Sequence, residues 1–198
     1  MSKRFARNLV AYLLIGAAVL AGEAKGIAGE KRNLETKAKT AVAVQAGEEK
    51  AGRNYETTNF AEDSDEVLLA RMLFGEARNC TDLEKIAVAY TAINRANDGK
   101  KWNGTNLKEV LLKKWQYSCF NENDPNREKL MDPQVYDSES WDDCLKIARE
   151  VLAGKYKDIT NGATHYHTLN TSPKWSKSPK MKKIGRIDGS KHEFYKEK

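Results

Sequence analysis

The sequence predicts an α+β domain dominated by helix, and three observations carry that prediction. Capped, amphipathic stretches fill residues 64–152. Turn residues followed by short alternating runs appear after Asn161. Helices precede strands instead of alternating with them, so the strands are expected in a small C-terminal sheet or hairpin and not in a parallel βαβ array.

The first helix is expected over residues 64–78, SDEVLLARMLFGEAR. Asp63 followed by Glu66 has the spacing of a capping box. Leu69, Met72 and Leu73 share one face, and at about 100° per residue Glu76 falls on the same stripe. An ionised carboxylate is costly there unless paired. Desolvation favours its protonated form, which a general acid near neutral pH requires. A frayed helix end, or pairing with Arg71 or Arg78, would account for Glu76 equally well.

Thr81-Asp82-Leu83-Glu84 opens the second helix as another capping box, which explains Asp82 and Glu84 as helix-start residues. Ile86, Ala89, Tyr90 and Ile93 form its apolar face, and Asn97-Asp98-Gly99 ends it. Arg95 near that end suits the helix dipole. Asn106 with Glu109 opens a short third helix through Lys114. Asp137 or Ser138 starts a fourth, with Trp141, Leu145, Ala148 and Leu152 on one face and Gly154 closing it. Asn161-Gly162 then marks a turn, ATHYHTL a strand, and residues 183–195 a hairpin around Asp188-Gly189.

The N-terminal third has a different character. Lys3, Arg4 and Arg7 precede Leu9–Gly22, an uncharged run too short for the roughly 20 residues of a bilayer span. Residues 1–24 therefore read as a signal peptide, or as a weakly apolar N-terminal anchor making transient membrane contact through residues 9–22. Residues 25–60 are charged and aromatic-poor and read as a linker. The folded domain is expected over residues 61–198, since all four Trp lie beyond residue 100. The expected location is exported: periplasm, cell envelope or extracellular.

The net charge of +6 favours polyanions. Its basic residues are scattered among acids and match no nucleic-acid module, so nucleic acid is not an expected partner. The three cysteines allow one disulfide and one free thiol, and no CxxC pair supports a thiolate metal knuckle.

ARMLFGEAR, AINR, YSC, NGATHYH, Trp175, IG and HEFY, in that order across residues 64–195, resemble the SleB-type cell-wall hydrolases known from spore-cortex lysis. The resemblance implies a lysozyme-like fold that cleaves the peptidoglycan glycan strand between N-acetylmuramic acid and N-acetylglucosamine, with Glu76 of FGEAR as the catalytic acid. The chain departs from the family pattern at Asn79-Cys80, at His165 beside Tyr166, and at Gly189-Ser190-Lys191, which lengthens the last hairpin. No second acid is placed as plainly as Glu76, with Glu122 and Asp124 the nearest alternatives. One carboxyl suits lytic transglycosylation better than hydrolysis, for which paired carboxyls are usual. Ser118, Thr164, His165 and Tyr166 are expected to contact the sugar, or else to satisfy their own strand and loop. Trp175 is expected to stack on a sugar ring or be buried. Asn94 is expected to fix substrate or Glu76, or to cap its helix. Neither cofactor nor metal is expected, and the chain is expected to be monomeric.

Three rival readings remain at this level. His165 and His167 share a strand face, and with His192 they suggest a zinc-dependent peptidoglycan amidase or peptidase. Cys119 with His165 suggests a cysteine peptidase, although nothing nearby visibly activates the thiol. Positive charge with exposed aromatics would also serve a non-enzymatic wall-binding protein.

Overall fold

The computed structural model describes Tyr55 and residues 59–198. The export segment expected over residues 1–24, and most of the linker expected over 25–60, lie outside the described residues. Tyr55 and Phe60 pack into the domain. Tyr55 meets Trp141 edge-on at 5.2 Å and donates to Asp132 Oδ1 at 2.6 Å, while Phe60 meets Phe120 at 5.4 Å.

The helices run in the order α1 (Asp65–Ala77), α2 (Asp82–Asn97), α3 (Leu107–Leu112), α4 (Arg127–Met131), α5 (Pro133–Tyr136) and α6 (Ser138–Leu152). The strands β1 (His165–Thr168), β2 (Met181–Arg186) and β3 (His192–Glu197) follow. The expected α+β class is therefore borne out, mainly α with a small antiparallel sheet, consistent with a lysozyme-like domain.

Helix α1 is central. Every residue from Val67 to Phe74 is buried, and it packs against α6, α2 and α3. Full burial of each large apolar side chain contributes roughly 1.5–3 kcal/mol. Burial on all sides also traps Arg71, which is fully buried. Asp63 answers it, with Nε to Oδ2 at 2.6 Å, and the Leu130 carbonyl accepts from Nη1. Asp63 is thus a counter-ion and not the helix cap. Ser64 caps instead, its hydroxyl accepting from Val67 N at 3.3 Å. The expected capping box at Asp63 and Glu66 is corrected accordingly, and Glu66 lies outside, meeting Arg149 at 3.3 Å.

The second, third and sixth helices start where their caps predict. Thr81, Asn106 and Asp137 accept from Glu84 N, Glu109 N and Ser140 N respectively. Gly154 sits at φ 72 after α6, a left-handed conformation that glycine adopts without strain. Helices α4 and α5 are too short for a periodic signal and were not foreseen.

The sheet order is β1-β3-β2. Tyr166 pairs with Phe194, and Phe194 is fully buried in the core. His165 pairs with Tyr195 and His167 with Glu193, which puts those side chains on the opposite face. An extra residue between Lys183 and Gly185 bulges β2, with Gly185 at φ 114. The last connection is longer than a two-residue turn at Asp188-Gly189, in line with the lengthening expected from Gly189-Ser190-Lys191. Ser190 N closes a turn onto Ile187 O at 2.9 Å, and the chain re-enters the sheet only at His192.

Candidate active site

Glu76 is the next-to-last residue of α1, half-buried at the edge of the core. Its Oε2 accepts the Tyr166 hydroxyl at 3.2 Å, and its Oε1 accepts the Cys119 backbone N–H at 3.4 Å. The two arginines offered by the sequence as its counter-ions turn elsewhere. Arg71 is on Asp63, and Arg78 donates to Phe74 O at 3.1 Å and lies over Tyr136.

Residue size sets this geometry. Ser118–Phe120 forms a 3₁₀ turn pressed against α1 at Gly75. A Cβ on Gly75 would lie 2.5 Å from Cys119 Cβ and 2.9 Å from its Sγ. Only glycine lets the Cys119 N–H come within reach of the neighbouring carboxylate. From the other side, Tyr166 descends from β1, its ring edge-on to His192 at 5.0 Å. Burial, then the Glu76 charge, pushes the Tyr166 hydroxyl well above its ordinary value, so it serves as a donor.

Tyr117 is the residue that sequence reasoning missed at this site. It is buried, its hydroxyl lies 3.4 Å from Thr91 Oγ1, and burial raises its pKa. Arg95 lies over its ring at 5.1 Å. Arg95 is buried and does more than complement a helix end. Nε donates to Thr164 O at 2.5 Å and Nη1 to Gln116 Oε1 at 3.3 Å, which fastens β1 and the Tyr117 segment to α2. A charged residue in line with Val88 and Thr91 on α2 was the available signal.

The other expected site residues are more dispersed. Asn94 donates to Asp158 Oδ2 and Ala163 O at 3.1 and 2.9 Å, anchoring the loop before β1 and not Glu76. Ser118 is exposed beside the Cys119 amide. Thr164 is buried, with its hydroxyl 2.9 Å from His165 Nδ1. Trp175 is half-buried against His165, Tyr195 and His167 at 5.2, 5.4 and 5.7 Å, on the sheet face opposite Tyr166.

The three histidines do not converge. His167 lies 3.2 Å from the Tyr195 hydroxyl. His192 is buried on the other face, its Nδ1 2.7 Å from Glu84 Oε1. The alternation of strand side chains separates them, so the zinc site of the rival reading, with His165, His167 and His192 as ligands, is not formed. Cys119 is also unsuited as a nucleophile. Burial, then the Glu76 charge, raises its thiol well above the ordinary value, the wrong direction for a thiolate. All three cysteines are free thiols.

Glu84 is not the reciprocal partner of a capping box. It is almost fully buried, and Oε1 accepts from Ser190 Oγ at 3.0 Å, Lys191 N at 2.7 Å and His192 N at 2.9 Å as well as from the His192 ring. Burial alone would raise its carboxyl, but the bonds from His192 and Ser190 outweigh burial and hold it below the usual value. Cys80, Glu84 and His192 bring one ligand-type atom each within 4.8 Å, the one such group among the described residues. With Oε1 and Nδ1 spent on each other, the trio fixes the Ile187–His192 loop to α2.

Neither remaining acid is joined to Glu76. Glu122 lines a hollow with Asn59, Phe60, Ala61, Leu112, Phe120 and Arg127. Asp124 Oδ1 accepts from Asn126 N at 2.8 Å.

Residues 81–195 match a family model described as Cell Wall Hydrolase. The matched stretch begins beyond Glu76. No curated protein and no solved structure matches the chain.

Proposed function

The chain belongs to the cell wall hydrolase family, and from that premise we propose that it cuts the peptidoglycan glycan strand between N-acetylmuramic acid and N-acetylglucosamine as a lytic transglycosylase. The observation that carries the proposal is a single half-exposed carboxylate, Glu76, held by one N–H and one O–H with no second carboxylate hydrogen-bonded beside it.

In this mechanism the Glu76 carboxyl protonates the glycosidic oxygen as the bond from muramic acid C1 to that oxygen breaks. Tyr166 and the Cys119 amide hold the carboxylate that remains. That carboxylate then takes the proton of the muramic acid 6-hydroxyl as O6 bonds to C1. The result is a 1,6-anhydro sugar and a reprotonated Glu76, without water. An inverting hydrolase would need a second carboxyl about 6.5–9.5 Å away and a retaining one about 5–5.5 Å away. Glu84 is buried with Oε1 bonded to the loop before β3, and Asp124 accepts from Asn126 N, so neither is hydrogen-bonded to Glu76.

Residues 1–24 are proposed as the export signal or anchor that takes the domain to its substrate. Glu76→Gln should abolish release of soluble wall fragments, and EDTA should leave wild-type release unchanged. Fragment release by Glu76→Gln at the wild-type rate would remove Glu76 from the mechanism.

A further inference from the structure

A cluster of tryptophan and lysine lies outside the Glu76 constellation. The tripeptide Lys-Lys-Trp occurs at residues 100–102 and again at 113–115, on either side of α3. Trp102 is 62% exposed and Trp115 is 77% exposed, the two most exposed large apolar side chains among the described residues. The two segments are neighbours in space. Lys113 Nζ donates to Trp102 O, and Gln116 Nε2 donates to Asn103 O at 2.8 Å. Lys101 and Lys113 line a hollow of about 420 Å³ together with Gly104, Lys108, Glu109 and Leu112.

The tryptophans are exposed on rigid backbone. Asp98 ties down the turn before Trp102 by accepting from Lys100 N at 2.8 Å and from Asn103 Nδ2 at 2.5 Å. Trp115 sits at φ 71, a left-handed conformation that disfavours bulky residues, and its N–H is held by Asn121 Oδ1 at 3.3 Å. Lys114 lies over the Trp115 ring at 5.2 Å and Lys100 over Trp102 at 5.6 Å. Flat aromatic faces suit sugar rings, and ammonium groups beside them suit carboxylates. Through Gln116 the Trp115 segment leads directly into Tyr117–Cys119, which borders Glu76.

We propose that Trp102 and Trp115, with Lys101, Lys113 and Lys114, form a peptidoglycan-binding platform that grips the strand beyond the cleaved bond. The rings stack on N-acetyl sugars and the ammonium groups meet free carboxylates of the peptide stems. The proposal rests on peptidoglycan as substrate, but not on which of its bonds is cut.

The test is co-sedimentation of the full chain carrying Glu76→Gln with insoluble peptidoglycan stripped of secondary wall polymers. Soluble fragments are measured in the same tubes, so a failure of the Glu76 assignment registers separately. Trp102→Ala with Trp115→Gly should weaken binding tenfold or more. Glycine relieves the left-handed backbone at position 115, so an unchanged or raised melting temperature excludes misfolding as the cause. Replacing Lys101, Lys113 and Lys114 by Gln should weaken binding and flatten its salt dependence. Undiminished binding by the tryptophan variant overturns the proposal. So does binding confined to walls that retain their secondary polymers, which would assign the surface to those polymers.

Discussion

At the scale of single residues, Glu76 depends on what its neighbours lack as much as on what they offer. Gly75 has no side chain, so the Cys119 amide can approach, and Tyr166 reaches the same carboxylate from the sheet. A hydrogen bond to a charged group contributes about 1.5–3 kcal/mol. Tyr166→Phe should therefore slow fragment release about ten- to a hundredfold with little change in melting temperature. An unaltered rate would remove Tyr166 from the site.

His165, on the opposite face of the sheet from Tyr166, supplies a pH-dependent test of the packing around β1. Burial, then the Arg95 charge, depresses its pKa to about 4 from an ordinary 6.5. The unfolded chain therefore takes up a proton below pH 6.5 that the folded chain refuses. The associated stability is present above pH 6.5 and is lost as pH falls toward 4. His165→Gln should flatten the decline in melting temperature between pH 6.5 and 4 relative to wild type. Parallel curves would contradict the assignment.

Glu76 became a candidate through the FGEAR resemblance, since the stripe of Leu and Met by itself left a helix-end role equally open. Its partners were not legible, since Tyr166 and Cys119 lie far along the chain and periodicity carries no information about which strands and turns meet.

At the scale of elements, the sheet is held to the helices by a few buried polar anchors. Arg95 holds β1 through the Thr164 carbonyl, and Glu84 holds the loop into β3 through four donors. Glu84→Ala would leave the buried His192 ring without its carboxylate partner and Lys191 N without its acceptor, while Ser190 and His192 N keep each other, at a cost of about 3 kcal/mol. Urea unfolding should show this loss, with a smaller one for Glu84→Gln. A loss below about 1 kcal/mol in the alanine variant would show that solvent reaches the loop freely.

The helix starts at Thr81, Asn106 and Asp137 were legible because capping is local chemistry. At Asp63 the same rule misled, because a buried arginine eight residues on claimed the carboxylate. At Glu84 it misled again, because an acid at the third helical position satisfies a capping box equally well whether its side chain turns back or inward. The strand at His165–Thr168 followed from its turn and alternation. The extra length of the last connection was visible at Gly189-Ser190-Lys191, but its anchor was not, because Ser190 and Lys191 are drawn to a carboxylate that lies more than 100 residues earlier.

At the scale of the whole molecule, a helical core presents one carboxylate at its edge and a small sheet delivers a hydroxyl to it. The family match bears out the resemblance carried by the spaced motifs, and it makes the cell wall the site of action. The proposed anhydro product rests on a carboxylate, Glu76, with no second carboxylate hydrogen-bonded to it. Mass spectrometry of purified peptidoglycan digested by wild type, beside Glu76→Gln, therefore tests the account most directly. The account predicts 1,6-anhydromuramic ends from wild type and none from the variant. Reducing muramic ends would establish hydrolysis and require a second acid, whereas cut peptide stems on an intact glycan would contradict the assignment of Glu76.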